Sequence, residues 1–121
     1  MAETRTRAAL VERAVAIVTV QGSAQAPDAE DIAVMDDFVD GVLASLAARN
    51  VVFVPNDDAI PAEQFELIAT CLAETPAVAR RFGRAADEAA RRDAEEQLRV
   101  IARAQPMRLL RHDAMFRWRG C

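Results

Sequence analysis

Ile32, Met35, Val39, Val42 and Leu46 recur at spacings of 3, 4, 3 and 4. Only an α-helix places such a series on one face. The stripe must be covered by a second apolar surface, so the chain is committed to packing helices against one another. Asp28 is the expected N-cap, with Asp31 three residues later as a weaker capping box. Asp28, Glu30 and Asp31 fall in the first turn, where the helix dipole favours acids. Asn50 supplies the stop. The spacing therefore predicts a helix over Asp28 to Arg49. Gly41 in its interior reads either as a mild weakness or as a point of close contact.

The flanking segments extend this plan. Leu10, Val11, Ala14, Val15, Ile17 and Val18 give a wide apolar face to a first helix over Thr4 to Val18. The β-branched residues of Val15 to Val20 also allow a strand there. Gln21 to Pro27 is a loop punctuated by Gly and Pro. Val51 to Val54 is too short for a helix, and reads as an extended segment pressed on the core. Pro61 is expected in the first turn of a third helix, with Phe65, Ile68, Ala69 and Leu72 facing inward. Pro76 must end or kink that helix. A fourth helix is predicted over Arg84 to Ala104, with Ala86, Ala90, Ala94, Leu98 and Ile101 inside. Its outer faces should carry Asp87–Arg91, Glu88–Arg92 and Glu95–Arg99 pairs. The expected fold is all-α: a small four-helix bundle with a short extended segment between helices 2 and 3. Residues 1–106 form the body, and 107–121 an extended C-terminal tail.

Composition narrows the function classes. The chain of 121 residues fits one domain. Its 26 alanines and absent Tyr fit closely approaching helices better than a sandwich or barrel. All 15 basic residues are Arg. This reads first as codon bias of a GC-rich genome, and otherwise as selection for bidentate contacts. Charge is uneven: residues 1–79 hold 4 Arg against 13 acids, a balance of −9, and residues 80–121 hold 11 against 6, a balance of +5. That asymmetry suits head-to-tail packing of identical subunits, or a basic segment reaching an acidic partner. Cys71 and Cys121 stand in unlike settings and imply no disulfide framework. Glu3, Arg5, Arg7, Glu12 and Arg13 interrupt any signal-peptide core, and no run reaches the length of a membrane span.

Candidate sites follow from side-chain chemistry. The segment after Pro106 mixes Leu109, Leu110, Met115, Phe116 and Trp118 with Arg108, Arg111, Arg117 and Arg119. Trp and Arg are the commonest binding anchors. Two roles fit: docking on a partner, or folding back over the chain's own core. Asp36, Asp37 and Asp40 belong to a solvated face or a subunit interface; as a cation site, even with Asp57 and Asp58, they lack the Gly-interleaved loop. Their natural counterparts are Arg84, Arg91, Arg92 and Arg99 of a neighbour's last helix. That helix, with acids between its arginines, offers nucleic acid only a mixed surface. His112–Asp113 is the one acid–base pair, and adjacent residues rarely face each other. No nucleophile, phosphate loop or zinc spacing accompanies it, so neither catalysis nor a cofactor is expected.

The order of elements from Pro27 to Gly83 is a long acidic-faced helix, the apolar run Val51-Val52-Phe53-Val54, the turn Pro55-Asn56-Asp57-Asp58, Ile60-Pro61, an Ala/Leu-rich helix and Phe82-Gly83. This order resembles the small helical head-to-tail adaptors of tailed bacteriophages, over roughly residues 5 to 105. In that family Ile-Pro enters the second core helix and Phe-Gly leads into a last Arg-rich helix. The resemblance implies a structural virion protein of the neck, assembled in the host cytoplasm. It implies a ring of twelve copies below the portal protein, and a C-terminal segment docked on that portal. Tail or nozzle proteins would attach to the ring, and packaged DNA would pass through it without sequence-specific contact. The rival expectation is a small helical regulatory or nucleic-acid-binding protein that uses its Arg-rich C-terminal third.

Overall fold

The computed structural model describes residues 3–19 and 28–104. Among them the fold is mostly helical, with five helices and one two-stranded ladder. Two residues of strand, β1 (Thr4–Arg5), precede helix α1 (Arg7–Thr19). Helix α2 (Ala29–Ala48) follows, then β2 (Ile60–Pro61), α3 (Ala62–Ala73), α4 (Pro76–Arg81) and α5 (Glu88–Ala104). The C-terminal segment 107–121 and the loop from Gln21 to Pro27 lie outside the described residues.

The start of α1 differs from expectation because the chain is first used for a ladder. Thr4 and Arg5 pair antiparallel with Pro61 and Ile60. The Glu3 carbonyl accepts the Ala62 N–H at 2.9 Å, extending the contact to the start of α3. Thr6 then caps α1, its Oγ1 accepting the Ala9 N–H at 3.2 Å. The helix holds through Val15 and Val18, so the strand alternative is not adopted. Buried Leu10, Val11, Ala14, Val15 and Val18 explain why: their 3–4 spacing faces α3 and α2.

Helix ends are set by local chemistry. Asp28 caps α2, accepting the Glu30 N–H at 3.2 Å. At the far end Asn50 takes φ 57°, the Asn50 N–H reaches the Ala47 carbonyl and the Val51 N–H the Leu46 carbonyl. This is a Schellman ending, and its companion apolar contact is buried Val51 against buried Leu46. The same motif ends α4: Gly83 has φ 75°, with Gly83 N–H to Arg80 and Arg84 N–H to Ala79. Pro76 occupies the first position of α4 after α3 has closed at Ala73. Pro61 is the N-cap of α3 and not in its first turn. Val51 and Val52 press on the core, in no ladder, but Phe53 is 74% exposed.

Helix α3 sits at the centre, packed by α1 and α5 and touched by α2. Gln64, Phe65, Ile68, Ala69, Cys71, Leu72 and Ala73 are all buried. Arg5 stacks over the Phe65 ring, 5.3 Å from its centroid. Helix α5 begins at Glu88 and not at Arg84. Asp87 caps it, its Oδ1 accepting the Ala90 N–H at 3.0 Å, and is thereby taken from the expected pair with Arg91.

The two described glycines make opposite predictions. A Cβ on Gly41 would meet nothing within 4 Å, so Gly41 is no point of close contact among the described residues. Gly41→Ala should stabilise the fold by about 0.5–1 kcal/mol through helix propensity. Gly83→Ala meets no clash either, but must hold a positive φ. It should cost about 1–2 kcal/mol. Urea unfolding of the two variants checks both signs.

Candidate functional site

Three side-chain clusters stand out, and in each an arginine and a carboxylate from different elements meet. The first is built around Arg7 at the start of α1. Its guanidinium donates from Nε to Asp36 Oδ1 at 2.8 Å, and from Nη1 to Asp40 Oδ1 at 2.7 Å and Asp57 Oδ2 at 2.6 Å. Nη2 reaches the Asp36 carbonyl at 3.1 Å. Hydrogen bonds to Asp36, Asp40 and Asp57 raise the Arg7 pKa still further above its already high value. One cation thus ties α1 to α2 and to the loop after it. The expected acidic interface therefore already has an internal partner for Asp36 and Asp40, although Asp40 remains 81% exposed.

The second cluster lines an open groove of about 460 Å³ between α2, α3 and α5. Phe38, Val42 and Leu46 form its apolar wall, and Asp37, Gly41 and Ser45 its edge. Glu95 is only 6% exposed. It accepts from Arg49 Nη1 at 2.9 Å and from Arg91 Nη1 at 3.3 Å. Arg91 also donates Nη2 to Glu88 Oε2 at 2.7 Å, while its buried Nε has no partner. Cys71 lies in the same lining, 1% exposed. Burial, and secondarily the Glu95 charge, push the Cys71 thiol up to about 12. A thiol held so far up is not an activated nucleophile near neutral pH.

The third cluster is at the corner where α4 meets α5. Glu74, 4% exposed, accepts from Arg84 Nη2 at 2.9 Å and from the Asp87 N–H at 3.0 Å. It joins the end of α3 to the start of α5 across α4.

Asp37 and Arg91 thus meet at one groove. Arg92 is exposed, 4.0 Å from Glu88, and Arg99 faces Glu96 at 3.8 Å. The expected Glu95–Arg99 pair is replaced by the inward Glu95–Arg49–Arg91 cluster. Sequence spacing held the signal: Arg91, Glu95 and Leu98 lie at i, i+4 and i+7 on one face. The positions from Arg108 to Arg119 lie outside the described residues. Among the described residues no group of three or more His, Cys, Asp or Glu is arranged to hold a metal. No described helix is long and apolar enough to cross a membrane. No protein-family model matches the chain, and neither do any of the curated proteins or solved structures compared with it.

Two predictions follow from these clusters. Arg7→Met leaves three carboxylates facing one another, and should cost about 1–2 kcal/mol after solvent screening, with part of the loss recovered in high salt. Denaturant midpoints at two salt concentrations read this. The Cys71 pKa is raised from its ordinary 9.0 to about 12, so the folded state holds its proton where the unfolded state loses it. The thiol's contribution is complete below pH 9 and is lost as pH rises from there through about 12. Stability measured against pH should fall across that window, and Cys71→Ala should flatten the fall.

Proposed function

We propose that this chain is a head-to-tail adaptor of a tailed phage or phage-derived particle. Its four longer helices form one bundle, and copies of it encircle the DNA channel below a portal ring. The observation that supports this reading most directly is that the strings carrying the resemblance are the chain's structural junctions. Val51 completes the turn that closes α2, Ile60-Pro61 is both strand and entry to α3, and Phe82-Gly83 closes α4. These residues fix the path between helices, which is what a shared fold would need them to do.

Charge also favours assembly by unlike faces. Residues 1–104 hold 11 Arg against 18 acids, a balance of −7, and residues 105–121 hold 4 Arg against one Asp, a balance of +3. In this reading the C-terminal segment, with Trp118 between Arg117 and Arg119, grips the portal. The ring retains packaged DNA and presents a platform to tail proteins. Contacts between copies are heterologous, and close only when the rotation per subunit fits.

The purified full chain should run as a monomer or weak oligomer in native mass spectrometry. Mixed with the portal protein of the same particle, twelve copies should bind per portal ring. Truncation after Pro106 should abolish that binding and leave the helical circular dichroism signal intact. A tight two-fold dimer of the isolated chain, or a portal to which the full chain does not bind, would sink the proposal.

A further inference from the structure

Most arginines among the described residues are occupied. Arg7, Arg13, Arg49 and Arg91 each hold a carboxylate at 3.3 Å or closer, and Arg5 lies over Phe65. Arg80 and Arg81, in the last turn of α4, form no ion pair among the described residues. Arg84 gives Nη2 to Glu74, but its Nη1 is buried and has no hydrogen-bond partner.

These groups share a place. Arg80 and Arg84 line a shallow pocket of about 450 Å³ together with Pro76, Gly83, Ala85 and Ala86. Among the described residues no acidic one lines it. The amides of Ala85 and Ala86 donate no hydrogen bond among the described residues, because this stretch lies between the α4 ending and the Asp87 cap. Gly83 adds no side chain there, and the space where its Cβ would stand is open. The walls thus hold two guanidinium groups, those of Arg80 and Arg84, and Arg81, next to Arg80 in sequence, adds to the positive charge of this end of α4. Arg80, exposed and without an ion pair among the described residues, and the unbonded Ala85 and Ala86 amides are the donors that an incoming oxyanion would meet there.

The geometry points to a phosphate-binding pocket at the α4–α5 corner, which takes the oxyanion of a nucleic-acid phosphodiester or of free phosphate. Phosphate fits the donor set better than carboxylate does. Free phosphate presents more acceptor oxygens and more charge than a carboxylate, a phosphodiester offers two anionic oxygens set tetrahedrally, and guanidinium forks match both in bidentate geometry. Arg84 stays neutralised by Glu74, so the uncompensated charge comes from Arg80 and Arg81. The pocket stands without the ring reading; a nucleic-acid source for the phosphate rests on it.

Amide NMR of the full chain at low salt tests the site with three probes: inorganic phosphate, a short DNA duplex, and acetate at matched ionic strength. Phosphate should shift the amides of Gly83 to Ala86 saturably. Arg80→Gln should weaken phosphate about tenfold, the loss of one charge-assisted contact. Arg92→Gln, at an exposed position away from the pocket, should leave it unchanged. Arg84→Gln disturbs Glu74 as well, so it is read only beside its melting temperature. If the duplex moves the same amides and competes with phosphate, the source is nucleic acid. If phosphate binds and the duplex does not, the pocket serves a free phosphate compound, and the nucleic-acid source is overturned. No saturable shift with either probe overturns the site itself. Equal shifts with acetate overturn it too, in favour of carboxylates such as those of a second copy.

Discussion

The structure depends on one helix that has almost no outside. Helix α3 is packed by α1 on one side and α5 on the other, with α2 closing over it. Its inward residues alternate large and small: Phe65, Ile68 and Leu72 fill space, while Ala69, Cys71 and Ala73 let neighbours approach. Shortening Ile68 or Leu72 to Ala would open a cavity shared by several helices. Such changes cost about 2–5 kcal/mol against a total stability of about 5–15 kcal/mol. The other helices bury one stripe each and can be altered on their outer faces. Helix α3 leaves only Glu63 and Glu66 exposed.

Around that core, the charged groups act as fasteners between elements. Arg7 joins α1, α2 and the following loop; Glu95 joins α5 to α2 through Arg49; Glu74 joins the end of α3 to Arg84 and to the Asp87 amide. Each is long-range in sequence or spans an element boundary, unlike the i,i+4 pairs on α5. Their leverage is asymmetric. A buried carboxylate that keeps its partners contributes modestly, whereas removing one partner leaves a desolvated charge. Glu95 and Glu74 each have two donors, which spreads that risk.

Much of this plan was legible in the chain. The Ile32–Leu46 stripe, the Asp28 cap, the Asn50 stop and the Pro76 break each follow from local chemistry, and each stands where the residues imply. What was not legible depends on residues distant in sequence. Thr4 and Arg5 leave the first helix because Ile60 and Pro61, far along the chain, offer them a ladder. Arg91 and Glu95 turn inward because Arg49 waits on another helix. The rule that pairs neighbours along one helix cannot see a partner on a second one. Phe53 belongs to the same apolar run, yet the path after Asn50 turns it outward while Val51, Val52 and, in part, Val54 pack on the core.

The inward turn of these arginines changes where the surface is basic. Read along the chain, the last third is a band of arginines. In three dimensions Arg84 and Arg91 are spent on Glu74, Glu88 and Glu95, so much of the band is neutralised. Arg92 and Arg103 stay exposed with a glutamate nearby, whereas Arg80 and Arg81 stay exposed with no ion pair among the described residues. An acidic body repels copies of itself and repels phosphate over most of its surface. Among the described residues, the α4–α5 corner is where Arg80 and Arg81 stand without a carboxylate to offset them. In the proposed ring, unlike faces would favour head-to-tail succession over two-fold pairing, which matches a patch with itself.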